Sequence, residues 1–276
     1  MSNRREKYDL IFSMGSGCGC ATILHQLGLQ LLSLPFDWVG HASLRARVDL
    51  VGRSFDGWML EKNMEKMPDD PAFGQDRYVD RATDLRYWHD FPLGSLLAEE
   101  LPRVREKYDR RVARLNDLIS RSKRILMVWM DDYRDDASVD EKEIRHCLDV
   151  FSRKWPGRRF EMICFEYAED VALSQAKVER GDDYEIISFD LRAKGEGAEP
   201  WMSDKAALKC VLERYEVRDY RTSAERRAFA KKELMREMKR FGTTSRIVYG
   251  FRKIEWKLMK HLKKDLERHG VSLDKE

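Results

Sequence analysis

The stretch that decides the fold is "YDLIFSMGSGCGCATILHQLGLQ", residues 8 to 30. Its apolar run from Tyr8 to Met14, stopped by glycine, reads as a buried strand. From about Cys18 the apolar residues Ala21, Leu24, Leu27 and Leu31 recur every three or four positions, the period of a helix, although Gly28 interrupts it. Strand, glycine-rich turn and helix in that order open an α/β protein. The turn also holds two of only five cysteines, Cys18 and Cys20, among Gly15, Gly17 and Gly19.

Beyond it, "PFDW" at 35–38 punctuates the chain, and Leu44, Val48, Val51, Phe55 and Met59 predict an amphipathic helix. A Pro-, Gly- and Asp-containing loop at 67–76 precedes "RYVD", "RATD" and "LRYWHDF", which predict two short strands around a turn, ending at His89, Asp90 and Phe91. A long helix is expected over 94–122. Strands at 124–130, 159–167 and 184–191 then alternate with helices at 138–153 and 203–215, with a loop at 192–200. This alternation predicts an α/β fold with a largely parallel sheet; a papain-like α+β arrangement is the alternative. The expected organisation is one site-bearing α/β domain over 1–222 and a basic helical extension over 223–276.

At 276 residues and 42% hydrophobic content the chain can bury a substantial core. The opening residues lack the apolar segment of a secretory signal, and no run approaches the eighteen or so apolar residues that span a bilayer, so a cytoplasmic protein is expected. Five scattered cysteines argue for reduced thiols rather than a disulfide framework. Charge is unevenly placed: Arg226 to Lys264 carries 14 Lys and Arg against 3 acids, a local +11 that leaves −8 for the rest of a chain of net charge +3. With Ile247, Phe251, Ile254, Leu258 and Leu262 at helical spacing, this tail can pack on the domain or lie on an anionic membrane at the inner surface. No motif for specific nucleic-acid reading accompanies the charge.

A turn between a strand and a helix gathers backbone N–H groups and the positive end of the helix dipole. A thiol there has its nucleophilic thiolate favoured, and Cys18 is better placed for this than Cys20, which lies in the first helical turn. Two other chemistries fit less well. Gly15-Ser16-Gly17 is followed by Cys20 where a dinucleotide fingerprint needs a third glycine. C-x-C lacks the usual zinc spacing, so no metal and no cofactor are expected. Among the six histidines, His25 sits seven residues along the helix from Cys18, about 10 Å away. His41 falls in a loop, His146 on a surface-type helix, and His261 and His269 in the basic tail. His89, closing "LRYWHDF" between aromatics, is the best candidate base.

The ordered set "FSMGSGC", the "LGLQ" helix end, "PFDW", "HDFP", "KYDRRVARL" and "RILMVWM", over roughly residues 8 to 165, resembles an uncharacterised bacterial family labelled "putative papain-like cysteine peptidase". The resemblance implies a cysteine–histidine pair, carried over position by position as Cys18 the nucleophile and His89 the base. For the group that orients the imidazole the chain offers Asp90, Asp131 and Asp132; Asp90 should point to the other face of its strand, and Asp131, at the end of a strand, is preferred. Ser16, Gly17 and Gly19 of the turn, with Asp37, Trp38 and Asp90, are the candidate substrate-binding residues. Asp37 and Trp38 can equally serve only to fix their own turn. Arg110, Arg111 and Arg114 read as a solvated helix face, and Cys147, Cys164 and Cys210 as packing residues.

Two functions compete at this stage. One is a cysteine-dependent hydrolase or acyltransferase acting on a substrate with a carbonyl or acyl group. The other is a binding protein whose glycine turn holds an anion or a nucleotide-sugar.

Overall fold

The computed structural model describes residues 5–69, 74–131, 138–192, 203–227 and 230–231. The chain divides into residues 1–220 and 221–276, and every element named below belongs to the first unit. The loop expected at 192–200 and the basic extension expected at 223–276 lie almost entirely outside the described residues.

The elements follow in order: β1 (Glu6–Tyr8), β2 (Leu10–Ser13), α1 (Cys18–Gln26), β3 (Val39–His41), α2 (Leu44–Gly52), β4 (Met64–Lys66), β5 (Gln75–Asp80), β6 (Leu85–Pro92), α3 (Leu97–Arg121), β7 (Arg124–Met130), α4 (Glu141–Lys154), β8 (Arg159–Tyr167), β9 (Lys177–Arg180), β10 (Tyr184–Phe189), α5 (Lys205–Leu212) and β11 (Tyr215–Val217). They build a five-stranded sheet of order β2-β7-β8-β10-β9, a four-stranded sheet of order β3-β6-β5-β4, and the pair β1-β11.

In the five-stranded sheet β2, β7, β8 and β10 run parallel and β9 closes the edge antiparallel, so this sheet is mixed. The pleat sorts its side chains into two cores. Leu10, Phe12, Ile125, Met127, Trp129, Met162 and Cys164 pack with Val48 and Val51 of α2 and Ile144, Cys147 and Phe151 of α4. Ile11, Leu126, Val128, Met130, Ile163 and Phe165 pack with Cys20, Ile23 and Leu24 of α1 and Leu208 and Leu212 of α5. Both faces are covered, which is why these strands read as continuous apolar runs.

The second sheet is antiparallel throughout. This corrects the expectation of one largely parallel sheet. Only four residues separate β5 from β6, and a crossover to a parallel neighbour needs a dozen or more. The chain is therefore mixed α/β, and an antiparallel sheet set apart from the other is what the α+β alternative also calls for. A second correction concerns α2, which stops at Gly52 although its apolar spacing continues to Met59. Ser54, Phe55, Gly57 and Met59 adopt positive φ of 58°, 62°, 73° and 53°, which ends the helix while Phe55 and Met59 still turn toward the core.

Candidate functional site

The cysteine turn is laid along the end of β7. The Met14 N–H donates to the Val128 carbonyl at 2.7 Å, and the Ser16 N–H to the Met130 carbonyl at 3.2 Å. Ser16, fully buried, also donates its Oγ to Met130 O at 3.1 Å. Close approach explains Gly15, where a Cβ would lie 2.5 Å from Cys20 Cβ, whereas one on Gly19 would meet only the movable end of the Met130 side chain, at 2.9 Å. Helix α1 begins at Cys18 with Gly17 as an extended N-cap (φ −137°, ψ 177°) and no side-chain cap.

The two cysteines have opposite surroundings. Cys20 is wholly buried, its Sγ 3.5 Å from the Val128 carbonyl, and burial pushes its thiol up to about 12. It packs and does not react. Cys18 is half-buried at the helix start. Cys147 and Cys164 are buried, with burial raising both thiols, while Cys210 is exposed.

A residue that the sequence reading passed over ties this turn to the second sheet. Arg47 of α2 is fully buried. Its Nη2 donates to the Ser16 carbonyl at 2.9 Å and to the His41 carbonyl at 2.9 Å, with longer contacts of 3.5 Å from Nη2 to the Val39 carbonyl and from Nε to the Ala42 carbonyl. The end of β3 is thereby held beside the cysteine turn. His41 and Ala42 both take positive φ, 58° and 50°, and His41 Nε2 lies 2.9 Å from Asp84 Oδ2.

His89 stands elsewhere on the same sheet. Its strand β6 places Leu85 opposite His41 and Tyr87 opposite Val39, so His89 follows four residues beyond His41's partner. Its imidazole pKa is lowered, first by burial and then by the Lys107 ammonium. Next to it, buried Asp90 pairs with Lys107 and accepts from Tyr108 Oη at 2.9 Å. Lys107 is lowered to about 8, by burial and then by Arg111 and Arg110, and stays charged at neutral pH. Among the described residues no hydrogen bond joins Cys18 to His89.

The remaining candidates hold the frame. Asp37 is fully buried and accepts from Gln30 Nε2 at 2.7 Å and from the Leu34 N–H at 2.8 Å, with His25 Nε2 3.4 Å from the same oxygen. Gln30 in turn accepts from the Ser13 N–H at 2.9 Å, so the "PFDW" turn braces the end of β2. Trp38 stacks on His25 with ring centroids 6.4 Å apart. Asp131, buried, follows β7 and donates its N–H to the Phe165 carbonyl at 2.8 Å. Among the described residues no cluster of three or more His, Cys, Asp or Glu could hold a metal ion. A cavity of about 190 Å³ on α3, lined by Phe55, Trp58, Arg105 and Tyr108 among others, contains no residue of the cysteine turn. No helix among the described residues is long and apolar enough to cross a membrane.

Residues 9–163 match the model of a family described as "putative papain-like cysteine peptidase". A relative from Acanthamoeba polyphaga mimivirus, "Uncharacterized protein R408", is 25% identical over 156 residues, which cover 51% of this chain and 69% of that protein. No solved structure matches. The relative is viral, so the bacterial origin attached to the resemblance is not carried forward.

Proposed function

The chain belongs to the family described as "putative papain-like cysteine peptidase", and on that premise we propose a cysteine-dependent hydrolase or acyltransferase with Cys18 as its nucleophile. The observation that carries this reading is the contrast within the turn: Cys20 is sealed in the core, whereas Cys18 is half-exposed at an uncapped helix start. In the proposed reaction the imidazole takes the proton of the Cys18 thiol, and the thiolate so formed attacks an acyl carbonyl carbon. The C–S bond forms as the carbonyl electron pair moves onto oxygen, which receives hydrogen bonds from N–H groups of the turn. Collapse of this oxyanion expels the leaving group, which takes a proton from the imidazolium. Water, or another acceptor in a transferase, gives a proton to the imidazole, attacks the thioester and returns the thiolate.

His89 is the base in this proposal, and its lowered pKa supports a neutral imidazole at pH 7. Asp131 serves as the orienting group, while Ser16, Gly17, Gly19, Asp37, Trp38 and Asp90 form the surroundings of the acyl group. A second assignment rests on a specific observation. Arg47 draws the His41 carbonyl to the Ser16 carbonyl, and His41 already has Asp84 as a carboxylate partner. Along β6, His89 is roughly 13 Å from the point opposite His41, at 3.3 Å per residue.

Alkylation of Cys18 by iodoacetamide, located by mass spectrometry and followed against pH, tests the reading. The expected midpoint lies well below the ordinary thiol value of about 8.5, and loss of the base should move it. An ordinary midpoint, unmoved in both His89→Ala and His41→Ala, would sink the nucleophile. The uncapped start of α1 also favours a second function, an anion or nucleotide-sugar binder. In that case inorganic phosphate or a uridine diphosphate sugar raises the Tm in proportion to its concentration, and Cys18→Ser binds as the parent does. For the basic tail we propose weak, salt-sensitive attraction to anionic membranes. Phosphatidylserine vesicles should sediment the full chain and not a truncation at residue 225, and high salt should abolish the difference.

A further inference from the structure

Arg47 presents an anomaly that packing alone does not explain. It lies on the apolar face of α2, between Leu44 and Val51, and is fully buried. Among the described residues no carboxylate hydrogen-bonds to it, and burial lowers its pKa to about 9, so it remains a cation at neutral pH. Its guanidinium carbon lies 5.3 Å from the centroid of Phe36 and 5.9 Å from that of Trp129. Its hydrogen bonds all go to main-chain carbonyls, and Nη1 has no partner among the described residues. A buried cation in this state is a poor way to gain stability, because an apolar side chain would fill the same space without desolvating a charge. Its burial calls for another reason.

That reason follows from which carbonyls it holds. The Ser16–Gly17 peptide is planar and trans, so its N–H points opposite to its C=O. Fixing the Ser16 carbonyl on Arg47 directs the Gly17 N–H away from Arg47, at the residue that caps α1 immediately before Cys18. The same Nη2 holds the carbonyl of His41 while His41 and Ala42 keep backbone conformations that side chains normally avoid. Resting on Cys18 as the nucleophile, we propose that Arg47 is the positioning residue of the site: it aims the Gly17 N–H as an oxyanion donor and clamps the end of β3 to the cysteine turn. Arg47 does not touch the substrate. It acts through Ser16, Gly17 and His41, and this holds whichever histidine is the base.

The test compares the full chain with Arg47→Met and Arg47→Lys. Lysine keeps the charge and loses the planar fork. Two readouts are needed: the pH profile of Cys18 alkylation by iodoacetamide, and hydrogen exchange at the Gly17 amide by NMR. Both variants should move the Cys18 midpoint up by about one pH unit, so that alkylation below the midpoint slows about tenfold, and should speed Gly17 exchange by a similar factor. An unchanged Gly17 amide in either variant overturns the proposal. So does a faster Gly17 amide with an unmoved Cys18 profile, because that is what a merely structural arginine would give. If the parent Cys18 titrates as an ordinary thiol, the nucleophile reading fails by itself and the Gly17 amide still judges the clamp. Alkylation of buried Cys147 and Cys164 would reveal a variant that has not folded. The parent chain then decides: Arg47 Nη2 protons that exchange slowly support the clamp, and protons that exchange at the solvent rate overturn it.

Discussion

The two sheets treat polar residues in opposite ways. The five-stranded sheet is apolar on both faces, and its contribution to the site is a turn at one end, held by backbone hydrogen bonds to Val128 and Met130. The antiparallel sheet and its flanks carry most of the buried charge of the described residues: Asp37, Arg47, Asp76, Asp80 and Asp90 all fall between residues 37 and 90. Asp80 accepts from the Met59 N–H at 3.0 Å, and Asp90 pairs with Lys107 and Tyr108. The cysteine turn is thus placed by main chain, close packing and the Arg47 guanidinium, whereas His41 faces the Asp84 carboxylate and His89 adjoins the Asp90–Lys107 ion pair. Backbone placement tolerates most single substitutions. Ion-pair placement does not, because removing one partner leaves the other charge buried and alone.

The largest effect should separate the neighbouring cysteines. Cys18→Ala is expected to lower turnover roughly a thousandfold or more, as loss of a nucleophile does, measured as release of product from an activated ester. Cys20→Ala should retain turnover and lose about 1 kcal/mol of stability in urea. Equal losses of turnover would erase the distinction drawn within the turn.

Next in size is the choice of imidazole. Turnover in His89→Ala and His41→Ala assigns the base, with a loss on the order of a hundredfold or more in one and little change in the other. If both retain the parental rate, neither strand of the second sheet supplies the base.

Close packing at the turn predicts a smaller effect. Gly15→Ala would place its Cβ 2.5 Å from that of Cys20, and an overpacked site costs about 1–3 kcal/mol. Parental urea stability would mean that the turn can yield where the geometry says it cannot.

The smallest effect is a shift in pH dependence. Burial and then Lys107 hold the His89 pKa down, and a lowered imidazole pKa keeps the neutral base available to more acid pH. Lys107→Met removes the cationic contribution. The acid limb of the rate profile should then move up toward the ordinary value of about 6.5, by a fraction of a pH unit. An unmoved limb in an active variant would take the role from His89 and favour His41.

Strand β2, the turn and α1 were legible because each obeys a local rule: a continuous apolar run, glycines where backbones meet, and a helical period. The preference for Cys18 over Cys20 came from position alone; that the two differ in burial is a fact of the tertiary structure. Strands β5 to β8 were legible for the same reason. Arg47 left a signal that went unread: a charged residue three after Leu44 and four before Val51, on the apolar face of its helix. A buried charge announces itself by breaking a pattern, and its partners do not.

By itself, then, the sequence determined the local elements, the placing of a thiol at a helix start, and the ordered motifs that mark the family. The tertiary structure decided what those elements meet. Whether β5 and β6 join the parallel strands, which carbonyls Arg47 grasps, and which imidazole meets the Asp84 carboxylate depend on contacts between residues far apart in sequence, such as Arg47 with Ser16, 31 positions apart, or Ser16 with Met130, 114 apart. Periodicity carries the direction of a side chain relative to its own helix or strand. It carries nothing about the register in which two distant segments come together, because that register is chosen by the burial and hydrogen bonding of the whole.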